Sequence, residues 1–254
     1  MPRFKSPPGR FLHFGPFDVP GLPTRKVHAY VPWGARKSSP RPALYMFDGQ
    51  NVFGDEGSFA GGWHLDEVVD RLPPSRALAP VVIGIEHGGE MRMQELSPFP
   101  ALGKPGLADG LLDWVAGKLV PLMRGALPIE DGPAGAAIGG SSMGGLGALY
   151  AHFRHPDLFG GALCMSPAFQ FGGRPLFDSF AARPRPQISR VYIDCGTRES
   201  GGRMLPGAER MFRLLERKGY PEGQLMFRED RRGVHNEKSW RRRSPLALRF
   251  MFRL

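Results

Sequence analysis

The stretch from Ala134 to Tyr150, AGAAIGGSSMGGLGALY, decides how the rest of the chain is read. Its small apolar residues suit a buried strand, Gly140-Ser141-Ser142-Met143-Gly144 reads as a tight turn, and Gly145 to Tyr150 reads as the start of a helix. A serine at such a junction is held in a strained, exposed position at the tip of a sheet, and glycines two residues to either side let the backbone bend that sharply. The Gly-x-Ser-x-Gly pattern therefore singles out Ser142 as a candidate nucleophile. Alone, the pattern is weak. With 35 Gly and 14 Ser in 254 residues, a shuffled chain would carry about 0.26 such matches, so the neighbouring elements must supply the context.

Outward from this turn, short apolar runs alternate with helical patterns. Arg25 to Val31, Ala43 to Phe47, Pro80 to Glu86, Phe159 to Met165, Ile188 to Cys195 and Gln224 to Arg228 read as strands. Between them, His64 to Leu72 carries apolar residues at helical spacing, and a longer helix has the stripe Leu111, Val115, Leu119 and Leu122. Pro206 to Lys218 and Trp240 to Phe252 complete the helices. This alternation predicts an α/β fold with a mostly parallel central sheet flanked by helices on both faces. Prolines at 2, 7, 8, 16, 20 and 23 predict an irregular N-terminal segment over residues 1–24, followed by a single domain over residues 25–254. Ser166 to Gln187 is only a short excursion, so no large cap domain is expected.

The chain carries a formal charge of +10, from 34 Lys and Arg against 24 Asp and Glu. Its arginines are spread along the sequence, with local clusters at Arg231-Arg232 and Arg241-Arg242-Arg243, and no zinc-finger or RNA-binding signature accompanies them. A solvated basic surface is the reading, with no nucleic-acid partner. Cys164 and Cys195 sit in apolar runs and read as buried thiols. Neither a signal peptide nor a stretch of ~18 apolar residues is present, so a soluble, cytoplasmic protein without a membrane span is expected. Metal-ligand spacing, a phosphate loop and a dinucleotide fingerprint are all lacking, so no cofactor and no metal are expected.

A serine hydroxyl needs a base within hydrogen-bond reach before it can attack. Loops at the carboxyl ends of parallel strands converge, and of the seven histidines only His235 follows the last predicted strand. The order nucleophile, acid, histidine then places the third group after Ile188 to Cys195, where Asp194 and Glu199 both stand. Glu199 is favoured because a loop carboxylate can reach across to His235; the competing reading is a surface charge paired with Arg198 or Arg203. Backbone amides of Met143, after the nucleophile, and of Gln50, in Asp48-Gly49-Gln50 after Ala43 to Phe47, are the candidate oxyanion donors.

Several stretches together resemble the Putative esterase group of the α/β-hydrolase superfamily, which includes enterochelin esterases, S-formylglutathione hydrolase (esterase D), feruloyl esterases and the antigen 85 mycolyltransferases. They are Leu44 to Phe53 (LYMFDGQNVF), Ile138 to Gly145, His155-Pro156-Asp157-Leu158-Phe159, Met165-Ser166-Pro167 and His235 to Trp240 (HNEKSW). The resemblance spans nearly all the chain from about residue 25. It implies an α/β-hydrolase fold, with Ser142 as nucleophile, His235 as base, and Gln50 and Met143 as oxyanion donors. Some members of the group run a Ser–His pair with a weak or missing acid, which makes Glu199 the residue for the structure to examine. Arg92 and Glu95 fall where the group has an Arg and a Glu flanking the site, and they are expected to pair with each other. Asn51, Phe53, Trp63 and Arg92 are candidate substrate contacts. Phe99 and Phe169 fall on the same side, and packing within the loops competes with substrate contact for all these aromatics.

The expectation is thus a serine carboxylic-ester hydrolase acting on a small-molecule ester through an acyl-enzyme. Two rivals share the fold: an acyltransferase using the same acyl-enzyme, and a non-catalytic binding protein.

Overall fold

A computed structural model describes residues 9–56, 58, 61–72, 79–100 and 103–253. One eight-stranded sheet organises it. β1 (Arg10–Val19) and β2 (Leu22–Val31) form an antiparallel ribbon at one edge. The other six strands are mutually parallel: β3 (Ala43–Phe47), β4 (Val81–Ile85), β5 (Ala136–Ser141), β6 (Gly161–Met165), β7 (Arg190–Gly196) and β8 (Leu225–Asp230). The spatial order is β1-β2-β4-β3-β5-β6-β7-β8, with β2 antiparallel to β4. The chain thus builds one way from β3 to β4 and then returns across β3 to β5. That reversal opens a crevice at the carboxyl ends of β3 and β5, the place where ligands gather on open α/β sheets.

The central strands are buried on both faces, which is why they read as continuous apolar runs rather than alternating ones. Side chains still alternate between two cores. Tyr45, Ile83, Ile138 and Cys164 face one core, with α3 (Ala108–Trp114), α4 (Val120–Ala126), α5 (Met143–Arg154), α6 (Gly173–Ala182) and α7 (Leu205–Glu216). Leu44, Met46, Val82 and Leu163 face the other, with α1 (Leu65–Asp70) and α8 (Glu237–Phe252). The short α2 (Arg92–Glu95) lies in the segment after β4. Between β6 and β7, α6 buries Leu176, Phe177 and Phe180 in the first core, so the excursion there is a core helix and not a cap. Both cysteines are free and buried. Among the described residues no helix is long and apolar enough to cross a membrane.

Two local expectations are corrected. Residues 10–19 are a strand, not part of an irregular segment; residues 1–8 of that segment lie outside the described residues. Pro16 is accommodated because β1 is an edge strand whose register shifts between Phe14 and Phe17, so the missing N–H interrupts no central ladder. The long helix keeps Leu111, Val115 and Leu119 buried but leaves Leu122 43% exposed. A π-helical turn over Val115–Leu119 is the cause. It accommodates Pro121, which cannot donate to the preceding turn, and it rotates the stripe so that Val120 and Met123 are buried in place of Leu122.

A buried ion pair fastens the segment after β4 to β2. Arg25 bonds both oxygens of Glu95, at 3.2 and 3.1 Å, and Glu95 also accepts from the amide of Gly88 at 2.8 Å. Removing one partner of such a pair strands the other charge in the core. Arg25→Met is expected to lower stability by about 3 kcal/mol, read as a lower urea midpoint. Arg25→Met/Glu95→Leu together should recover most of that loss; a single variant as stable as the wild type would contradict the assignment.

Candidate active site

The fold brings the opening stretch to the crevice. β5 is buried throughout, and Ser142 follows it at φ 56° and ψ −121°, with α5 starting at Met143. A non-glycine residue at positive φ is strained and persists only where its surroundings impose it. Here they do: the Ser142 amide donates to the Met165 carbonyl (3.1 Å), while the Ser142 carbonyl accepts from Leu146 (3.2 Å) and Ala168 (2.9 Å). The bend also needs the flanking glycines, because a Cβ on Gly140 would lie 2.7 Å from the Gly144 carbonyl carbon. Ser142 is partly exposed, and its hydroxyl has no hydrogen-bond partner among the described residues.

His235 stands in the loop between β8 and α8, with its ring edge-on to Trp240 at 5.0 Å. Its Nδ1 lies 2.9 Å from Oε2 of Glu199, which is 0% exposed. An ionised carboxylate can only accept, so a neutral imidazole in this pair holds its proton on Nδ1 and keeps the Nε2 lone pair. The loops bearing these two groups can meet because Gly196 lies against Gly233: a Cβ on Gly196 would sit 2.4 Å from the Gly233 carbonyl oxygen.

Glu199 is held from behind by a filled network. Its Oε1 accepts from the Ser166 hydroxyl (2.6 Å) and the Gly196 amide (2.9 Å). The Ser166 oxygen in turn accepts from Trp240 Nε1 (2.9 Å) and Arg243 Nη2 (2.7 Å), so its one donor and two acceptor sites are all used. Arg243 also bonds Asp194 through Nε at 2.9 Å. Burial works against ionising Glu199, but the hydrogen bonds from His235 and Ser166 and the Arg243 charge outweigh it, holding the carboxyl below its usual range. Asp194 goes the other way. Burial pushes it up to about 6, with only partial relief from Arg243, the Ser166 amide and Tyr192. Two carboxylates five residues apart are thus shifted in opposite directions by their environments, and the one facing His235 is the one whose proton affinity is lowered.

The third contribution comes from β3. Asp48 takes a left-handed conformation (φ 61°) and opens a single 3-10 turn over Gly49–Asn51. The first amides of a helical turn have no partner within it, which leaves the Gln50 N–H, like that of Met143 at the start of α5, available to a ligand. Gln50 is fixed by its side chain, which pairs with the His87 backbone at both ends: Nε2 donates to the carbonyl (3.3 Å) and Oε1 accepts from the amide (3.1 Å). The two turns are adjacent, since a Cβ on Gly144 would lie 3.1 Å from Oδ2 of Asp48. Asn51 donates to Glu237 at the start of α8 (3.3 Å), and Glu237 lies close enough to His235, Asp48 and Arg92 to feel their charges. Loops from β3, β5, β7 and β8 are thus linked pairwise along one edge of the sheet, with no hydrogen bond between Ser142 and His235 among the described residues.

Arg92 and Glu95 do not pair with each other, contrary to the sequence reading. Arg92 grips both oxygens of Asp48, Nη2 at 2.7 Å, while Glu95 belongs to Arg25. Their partners come from distant strands, which neighbourhood in sequence cannot reveal. Phe53 and Trp63 are packed into the core at 8% and 3% exposure, Trp63 against Trp240, and Phe169 is likewise buried. Of the proposed substrate contacts, Asn51 and Arg92 keep a partly exposed position. Glu199 pairs with neither Arg198 nor Arg203. Ser166, Trp240 and Arg243 were not singled out as site residues. Arg243 in particular is buried, not part of a solvated cluster. Its signal lay in the helical register, three residues after Trp240 and four before Ala247 on the same buried stripe.

A family model described as Putative esterase matches residues 23–250. The chain is 24% identical over 229 residues to the uncharacterized protein YbbA of Bacillus subtilis (strain 168), covering 83% of this chain and 85% of that one. It superposes on the BES protein from Bacillus cereus with a TM-score of 0.74 at 17% identity, covering 95% and 94% of the two chains. The enterobactin esterase FES from Shigella flexneri gives a TM-score of 0.72 at 20% identity, but this chain, 97% covered, spans only 59% of that protein.

Proposed function

The chain belongs to the Putative esterase family of the α/β-hydrolase superfamily, and from that premise we propose that it hydrolyses a carboxylic ester through an acyl-enzyme on Ser142. The observation that carries this reading is the bond between His235 Nδ1 and the buried Glu199 at 2.9 Å, on the same sheet edge that presents a strained, partly exposed Ser142 at the start of α5. His235 Nε2 takes the Ser142 proton as Oγ attacks the ester carbonyl, and the developing oxyanion is met by the amides of Gln50 and Met143. The imidazolium, steadied by Glu199, returns that proton to the departing alcohol. Water then enters and gives a proton to His235 as it attacks the acyl carbonyl; the bond to Ser142 Oγ breaks, His235 passes the proton to that oxygen, and the acid leaves.

Glu199 needs no proton in this cycle. Its depressed proton affinity suits a group that stays charged while the imidazole changes state. Among the described residues no hydrogen bond joins Ser142 to His235; in this reading the bond forms when substrate is seated, as catalytic hydrogen bonds commonly do.

The test is turnover of p-nitrophenyl acetate, with products resolved in the presence and absence of an added alcohol. Release of p-nitrophenol with free acetate as the main product is expected. Acyl transfer to the alcohol as the dominant product would assign the same acyl-enzyme to a transferase, and no turnover of a panel of aryl, alkyl and lactone esters would contradict the hydrolase reading.

A further inference from the structure

A groove of about 780 Å³ runs along the flank of the molecule between α1 and α8, and the proposed reaction makes no use of it. Its floor is apolar, made of Val68, Leu72, Val234 and Pro245, and Val234 is 39% exposed there. Its walls carry six cations, Arg71, Arg232, Lys238, Arg241, Arg242 and Arg249, and among the described residues no acidic one lines it.

The carboxylates nearby do not balance these charges. Glu67 serves both Arg71 (2.7 Å) and Arg241 (2.6 Å), and Asp230 is shared between Arg242 and the buried Arg243. Arg232, Lys238 and Arg249 form no side-chain ion pair among the described residues. Concave, low-dielectric walls concentrate the field of such a surplus, and guanidinium groups match carboxylate and phosphate oxygens in geometry as well as charge. The volume is that of a small-molecule site. A flat basic face would suit a nucleic-acid backbone; a half-open basic groove with apolar residues in its lining suits a ligand with a charged head and an apolar body.

We propose that the α1–α8 groove binds an amphiphilic anion, a phosphate or carboxylate head carrying a short apolar chain. The head sits against the cationic wall, where Arg232, Lys238 and Arg249 lack a carboxylate partner among the described residues, and the chain lies over the exposed Val234. Val234 and Asn236 both line the groove, so an occupant bears on the loop that carries His235. The site stands independently of what Ser142 does.

Calorimetric titration of the full chain with octyl phosphate, octanol and inorganic phosphate tests it. Octyl phosphate is expected to bind one per chain, and each half-ligand to bind at least about tenfold more weakly, because each satisfies only one part of the groove. Raising NaCl from about 50 to about 500 mM should weaken octyl phosphate severalfold by screening the head group. Arg232→Glu/Arg249→Glu should reduce its affinity at least about tenfold by reversing the field, and Lys238→Glu, a single exposed change, should act in the same direction if the double variant folds poorly. Failure of octyl phosphate to bind, equal binding of octanol, or affinity unchanged in both charge-reversed proteins would overturn the proposal. So would an oligonucleotide that binds in its place and is lost with the same substitutions.

Discussion

Ser142→Ala lowers kcat for p-nitrophenyl acetate by about 10⁶-fold, the loss seen when the nucleophile of a cooperating set is removed. The geometry makes this a clean experiment. Alanine at φ 56° is no more strained than serine, it adds no volume beside Gly140, and the Ser142 hydroxyl has no hydrogen bond to lose. Stability should therefore stay within about 0.5 kcal/mol of the wild type. What turnover remains would come from the Gln50 and Met143 amides acting on a bound ester. Measuring kcat and the urea midpoint on the same preparation separates lost chemistry from lost fold; an alanine variant that is equally stable and retains more than a few per cent of turnover contradicts the mechanism.

Glu199→Gln is expected to lower kcat by about 10³- to 10⁴-fold with little change in KM. The substituted amide places an N–H donor opposite His235, which turns the ring toward the tautomer with its proton on Nε2. That form cannot accept from Ser142. The same change removes a charge that the interior is built around, since Ser166, the Gly196 amide and Arg243 all donate to Oε1. Asp194 still answers Arg243, so the stability loss should be about 1.5–3 kcal/mol, the range for hydrogen bonds to a charged group. Its pH dependence has a definite sign. Glu199 is held below its usual value of 4.5 when folded, so its contribution is complete above that value and is lost as pH falls through the lower, folded one. The glutamine variant should therefore show a flatter decline of stability on the acid side. A variant with wild-type kcat would remove Glu199 from the proposed triad.

The parts of this arrangement that sequence reveals are those set by local pattern. β3 to β8 are short apolar runs bounded by turn residues, and the strand, turn and helix around Ser142 follow from small residues and glycines at fixed spacing. Ser142, His235 and Gln50 could be named because each follows a parallel strand. β1 escaped notice because Pro16 outweighs the alternation around it, and only the edge position makes that proline acceptable. The partners of Glu95, Arg92 and Arg243 escaped notice for a different reason: Arg25, Asp48, Asp194 and Glu199 are supplied by other strands or the loops after them, 44 or more residues away in each case. Which of Asp194 and Glu199 meets the His235 loop likewise depends on a contact distant in sequence, the approach of Gly196 to Gly233, beside which Glu199 lies 2.9 Å from His235 Nδ1.

The central claim is that Ser142 is a nucleophile activated by His235. A fluorophosphonate probe reads this directly, because it bonds only to a serine that attacks and it leaves a mass that can be mapped. One adduct per chain, on the peptide containing Ser142 and absent from both Ser142→Ala and His235→Ala, is the result this account predicts. An unmodified chain under conditions that label a known serine esterase, or an adduct on any other residue, would contradict it.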